Sequence, residues 1–128
     1  MNANMMFRGV TNVFLPVKDL DRSIAWYTDV MGFKLLQKRE AQKAASMDIG
    51  AGQGLSLVQV EPFEPMRFPK NHFSVHAYFN FHTDDIDKTH AVLREKGIDV
   101  SEIEGSELGF RHFSMRDIDG NWISVVND

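Results

Sequence analysis

The sequence contains no cysteine. Disulfides, thiolate nucleophiles and cysteine-ligated zinc are excluded together, and a cytoplasmic home is expected. Positive charge is also scarce: 14 Lys and Arg stand against 18 Asp and Glu, a net charge of -4. No basic run is long enough to track phosphates, so nucleic acid is not an expected partner. No apolar stretch reaches the roughly 18 residues of a membrane-spanning helix, so no membrane partner is expected. The segment Met1–Met6 lacks the basic and apolar regions of a signal peptide and is expected to be a loose end. Of the four prolines, three crowd between Glu61 and Asn71, at Pro62, Pro65 and Pro69. They interrupt any strand ladder there. Neither a phosphate-cradling glycine loop nor a Ser-His-Asp triad can be traced.

What is present is a repeated unit. Val10–Val17 is an extended apolar run that meets the acidic break Asp19-Leu20-Asp21. Leu20, Ile24, Tyr27 and Met31 then recur at the spacing of one helical face, and Gly32 supplies a left-handed stop. A shift of sixty-six positions lays Asp19-Leu20-Asp21-Arg22-Ser23 on Asp85-Ile86-Asp87-Lys88-Thr89 and Tyr27 on Leu93. With one residue dropped, Gly32-Phe33 falls on Gly97-Ile98. A shift of sixty-eight lays Gly52, Leu55, Ser56 and Leu57 on Gly120, Ile123, Ser124 and Val125. Matches at cap, apolar face, stop and final strand together mean two copies of one supersecondary unit.

Each copy reads as strand, helix and three strands. In the first, strands are expected at 34–40, 44–49 and 55–60. In the second, strict alternation from His72 to His82 predicts the most legible strand of the chain, with Phe79 and Phe81 beneath a helix at about 87–96 capped by Asp84 or Asp85. Further strands are expected at 98–103, 110–115 and 122–126. The fold class is therefore α+β: two tandem βαβββ units forming a cleft between curved mixed sheets. All 128 residues make one domain, with unit one at about 8–60, a linker at 61–71 and unit two at about 72–127.

Several stretches resemble the vicinal oxygen chelate superfamily of glyoxalase I, extradiol dioxygenases, and fosfomycin- and bleomycin-resistance proteins. They are Asn12-Val13-Phe14-Leu15-Pro16-Val17, Asp19–Ser23, Trp26-Tyr27, Val30-Met31-Gly32-Phe33 and the turn Asp117-Ile118-Asp119-Gly120-Asn121. The likeness covers about residues 8–127. It implies the fold and a small-molecule site, but not one reaction. The family's metal enzymes carry His or Glu at points that fall here on Asn12, Ser56, Tyr78 and Ser124. None of these is a usual ligand for a divalent transition metal. The expectation is thus no cofactor and no metal, with a divalent metal as the disfavoured alternative.

The candidate ligand-binding residues are Asn12, Phe14, Ser56, His76, Tyr78, Asn80, Trp122 and Ser124, taken from the even positions that would face the cleft. Catalytic residues remain unassigned. Arg111 reads as a surface or structural residue before an anion clamp, and Asp117–Asn121 as a hairpin turn before a calcium loop. Two function classes follow. One is a metal-free small-molecule binder of the glyoxalase and bleomycin-resistance type. The other is a metal-dependent lyase, isomerase or dioxygenase with a displaced set such as His72, His76 and a carboxylate. A homodimer is expected, because each unit leaves sheet edges and a concave face to be covered.

Overall fold

The computed structural model describes residues 4–105 and 110–127. The chain divides after Glu61 into two compact units. The first holds β1 (Asn12–Val17), α1 (Leu20–Asp29), β2 (Lys34–Arg39), β3 (Ala44–Gly50) and β4 (Gln53–Gln59). The second holds β5 (Asn80–His82), α2 (Ile86–Glu95), β6 (Glu104–Gly105), β7 (Arg111–Arg116) and β8 (Trp122–Val126). Each forms a four-stranded mixed sheet, in the orders β1-β4-β3-β2 and β5-β8-β7-β6. In both, the first strand runs parallel to the last and the remaining pairings are antiparallel. The expected βαβββ unit is present twice.

The helices match the repeat residue for residue. Asp19 and Asp85 are extended caps whose carboxylates accept from the backbone N–H of Arg22 and Lys88, at 3.2 and 3.1 Å. Gly32 and Gly97, at φ 73° and 79°, turn the chain out of each helix. Leu20, Ser23 and Tyr27 are buried along α1, and Ile86 and Leu93 along α2. They are joined in the core by the odd positions of the strands: Leu15, Val17, Met47, Leu55 and Leu57 in the first unit, and Phe113, Met115, Ile123 and Val125 in the second. The even positions lie on the opposite sheet face. Ser56 pairs with Phe14 and Ser46 there, as Ser124 pairs with Asn80 and Ser114.

Two expected strands are corrected. Only Asn80–His82 of the 72–82 segment is a strand. In the first unit, the N–H of Gly54 donates to Thr11 O at 2.8 Å, at the start of β1. At the corresponding point of the second, the N–H of Trp122 donates instead to Met66 O at 2.9 Å. The proline-bearing segment therefore holds the place where the strand would begin. A second reason is steric. A Cβ at Gly54 would lie 3.0 Å from the Asn12 amide oxygen. The repeat puts Trp122 at Gly54's position and Tyr78 at Asn12's, and two bulky rings do not share a space that needs a glycine.

The displaced segment folds on Asn71 instead. Its side-chain oxygen accepts from the N–H of Phe73 and Val75, its amide donates to Pro69 O and Val75 O, and Ser74 is left-handed at φ 60°. Phe79 and Phe81 are consequently half-buried, with ring centroids 5.1 Å apart, and are not core residues.

The expected strand at 98–103 is also absent. Val100 makes an isolated bridge to Met115, and the regular ladder is limited to Glu104 and Gly105 against His112 and Arg111. The Ser101 hydroxyl accepts the N–H of Ser114 at 2.9 Å, so a side chain stands in for a backbone acceptor and breaks the ladder.

Candidate functional site

The outward face of the second sheet bounds a cavity of about 590 Å³. Its floor alternates along the strands: Asn80 from β5, Ser124 from β8, and His112 and Ser114 from β7, with His76 entering from the loop before β5. None of these five side chains has a hydrogen-bond partner among the described residues. Phe73, 88% exposed, and Phe110 form apolar walls, and Glu104 of β6 is the carboxylate in the lining. A polar floor without internal partners, between apolar walls, is the arrangement that holds a small molecule through hydrogen bonds.

The equivalent face of the first unit is different. The Ser56 hydroxyl donates to the Asn12 amide oxygen at 3.1 Å, so these two groups satisfy each other. Phe14 stands where Asn80 stands in the second copy and is 69% exposed. Ala44 occupies the counterpart of His112.

Of the residues singled out in the sequence, His76, Asn80 and Ser124 meet in the second-unit cavity, and Asn12, Phe14 and Ser56 share the first unit's face. Tyr78 is off the strand, 56% exposed, with its ring 5.0 Å from Phe68, and does not line the cavity. Trp122 lies beside the cavity, its ring 5.1 Å from His76. Arg111 is structural: its guanidinium makes two hydrogen bonds, of 2.9 and 3.0 Å, to the Asp87 carboxylate on α2. These hydrogen bonds hold the Asp87 carboxyl below its ordinary value. Sequence reasoning passed over Ser114 and the two phenylalanine walls, and left His112 without a place. Ser114 was reachable, since the shift of sixty-eight lays it on Ser46 with the same parity as Ser124.

The donor set does not suit a transition metal. Asn12 and Ser56 are neutral and bonded to each other, and Ser124 offers an un-ionised hydroxyl. Among the described residues no three His, Asp or Glu side chains gather closely enough to share an ion. The set of His72, His76 and a carboxylate is therefore not assembled.

The turn after β7 carries a buried cluster that the sequence reading treated as a hairpin only. Asp117 accepts from the backbone N–H of Asp119 and Asn121 and from the Asn121 amide, each at 2.9 Å. The Asn121 side-chain oxygen accepts the N–H of Met66 at 2.7 Å. This fixes the proline-bearing segment to the start of β8 and so places its side chains near Trp122.

Residues 9–125 match the model of the Glyoxalase/Bleomycin resistance protein/Dioxygenase superfamily. A curated relative from Arabidopsis thaliana, a probable lactoylglutathione lyase of the chloroplast, is 30% identical over a 107-residue alignment that covers 80% of this chain. The chain spans only 30% of that relative's length. Among solved structures, TnmS3, an antibiotic binding protein from Streptomyces sp. CB03234, is 26% identical at a TM-score of 0.73, over 95% of this chain and 97% of that one. A lactoylglutathione lyase from Agrobacterium tumefaciens is also 26% identical, at a TM-score of 0.70, with 92% of each chain covered. With its two βαβββ units and a family match over nearly its whole length, the chain belongs to the Glyoxalase/Bleomycin resistance protein/Dioxygenase superfamily.

Proposed function

We propose that the chain is a small-molecule-binding member of its superfamily, that the ligand sits on the outward face of the second sheet, and that no transition metal occupies the position usual for the family's metal enzymes. The observation that carries this reading is the unpartnered set His76, Asn80, His112, Ser114 and Ser124 around one cavity of about 590 Å³. That size falls within the range of about 300–1,000 Å³ common to ligand pockets. The antibiotic-binding relative, similar over almost its full length, supports a binding role.

The test is metal analysis of protein purified without chelator, with thermal shift in zinc, nickel and manganese salts. Sub-stoichiometric metal and no shift are expected. A stoichiometric transition metal would overturn the reading in favour of the second one, a metal-dependent lyase, which the two lactoylglutathione lyase relatives favour.

We also propose a homodimer. Each four-stranded sheet ends in two edge strands, and Phe14, Phe73 and Phe110 are exposed. Sedimentation showing only monomer at micromolar concentration would refute it.

A further inference from the structure

We propose that Arg67, held over the indole of Trp122 beside His76, is the anion-binding corner of the second-unit cavity, and hence that the ligand carries a carboxylate or phosphate group. This rests on reading that face as the ligand site.

Arg67 is exposed, yet its backbone is fixed on both sides. Met66 N donates to Asn121 and Met66 O accepts from Trp122, while Phe68 N donates to His76 O at 2.9 Å. The guanidinium carbon lies 5.0 Å from the Trp122 ring centroid. A second guanidinium, that of Arg116, lies 5.4 Å from the same centroid. Two cations on one ring repel each other unless each has a counter-charge. Arg116 has one, the Asp99 carboxylate. Arg67 has none: among the described residues no carboxylate or hydrogen-bond acceptor pairs with it. Stacking uses the face of a guanidinium and leaves its edge N–H donors available, in the fork that fits carboxylate or phosphate.

Arg67 and Trp122 stand outside the lining and border the cavity through His76, whose ring lies 5.1 Å from the indole and lines the floor. His76 and Asn80 lie at the β5 edge of the sheet. Glu104, the carboxylate of the lining, lies on β6 at the opposite edge. The cavity is therefore polarised, and an acidic group is drawn to the β5 edge and turned away from β6. If Arg67 served only to cover the indole with its stem, removing its charge would change stability but not the response to anions.

The sequence has two tryptophans, so Trp26→Phe leaves Trp122 as the sole indole reporter. Inorganic phosphate and acetate are titrated separately at constant ionic strength, with chloride as the control, and the two arms decide between phosphate and carboxylate. A saturable change in Trp122 emission is expected with one of them, at least tenfold weaker in Arg67→Gln and partly restored in Arg67→Lys. A response no different from chloride, or one unchanged in Arg67→Gln, overturns the proposal. Should Trp26→Phe fail to fold, melting temperature in phosphate or acetate replaces emission: stabilisation in the native sequence and its loss in Arg67→Gln are expected, and equal stabilisation in both overturns it. The outcomes separate from those of the metal test. A stoichiometric metal beside an Arg67-dependent anion response would remove the metal-free reading alone, and a metal-free protein without that response would remove this one alone.

Discussion

Replacing Asn121 with alanine is expected to be among the most destabilising polar changes in the chain, although the residue does not line the cavity. Asn121 is fully buried. Its amide donates to the Asp117 carboxylate at 2.9 Å, and its oxygen accepts the N–H of Met66 at 2.7 Å. A hydrogen bond to a charged group contributes about 1.5–3 kcal/mol, and a donor left unsatisfied costs about 1–3 kcal/mol. The Met66 N–H is only part-buried, so water recovers some of its loss. A total of about 2–4 kcal/mol follows, most of it from the Asp117 side. For a domain of this size each kcal/mol lowers the melting temperature by about 3–6 °C, so a drop of roughly 6–24 °C is expected. Calorimetry and urea unfolding read it directly. A loss below about 1 kcal/mol with unchanged m-value would mean that the turn holds without its amide, and that the anchoring of the Met66 segment does not depend on Asn121.

The remaining predictions are smaller or more local. Phe113→Ala, at a site 1% exposed, should cost about 3–5 kcal/mol, and Phe79→Ala clearly less because that ring is half-buried; equal losses would show that the segment before β5 is core after all. Ser124→Ala and Asn80→Ala should leave the melting temperature almost unchanged, since neither side chain has an internal partner, and a large loss in either would refute their availability to a ligand. Asp87 is held below its ordinary value of 3.8 by Arg111, so the pair stabilises above that value and the contribution fades as pH falls through the lower folded value; Asp87→Asn should flatten the acid limb of the stability–pH curve slightly, and an unchanged limb would count against it. Lys38, pushed up to about 12 by Asp21 and Glu40, should do the opposite, with stability present below 10.5 and lost as pH rises through about 12; an alkaline melt unaltered by Lys38→Met would refute that.

The parts of the fold that could be read in the sequence are those specified locally. An aspartate cap, an apolar face and a glycine stop lie within fourteen residues of each other in both copies, and α1 and α2 follow them one for one. The core face was legible for the same reason, because strand parity is a property of neighbours: Leu55 and Leu57, or Ile123 and Val125, point one way and Ser56 or Ser124 the other. What misled was the alternation of His72–His82. Its pattern is that of a strand, yet a strand also needs a partner, and Met66 already bonds to Trp122 at the required position. That contact joins residues fifty-six apart and leaves no periodic trace. Ser101 misled in the same way, since its hydroxyl replaced a ladder acceptor thirteen residues away. Of the candidate residues, His76, Asn80 and Ser124 share a cavity lining, whereas Tyr78, assigned through the same alternation, does not.

The differences between the two copies say more about function than their likeness. The pairing of Phe14 with Ser56 and of Asn80 with Ser124 shows the same backbone register in each. On that common frame, the first copy pairs two of its polar groups with each other, Ser56 bonded to Asn12 over a glycine that leaves room for the amide. In the second copy tryptophan replaces the glycine, and the strand start is pushed aside into the Asn71 loop. The loop then carries His76 and Phe73 to the cavity, while Asn80, His112, Ser114 and Ser124 keep their hydrogen-bonding capacity unused. The paired exchanges of Gly54 for Trp122 and Asn12 for Tyr78, with Met66 bonded to Trp122, thus accompany the shortened strand, the loop that lines the cavity, and the indole on which Arg67 rests. Packing alone would favour the self-satisfied version, because polar side chains left without partners add nothing to folding stability. The second copy keeps more such groups than the first, where Ser46 holds the position of Ser114, and this excess is what the proposed ligand would satisfy.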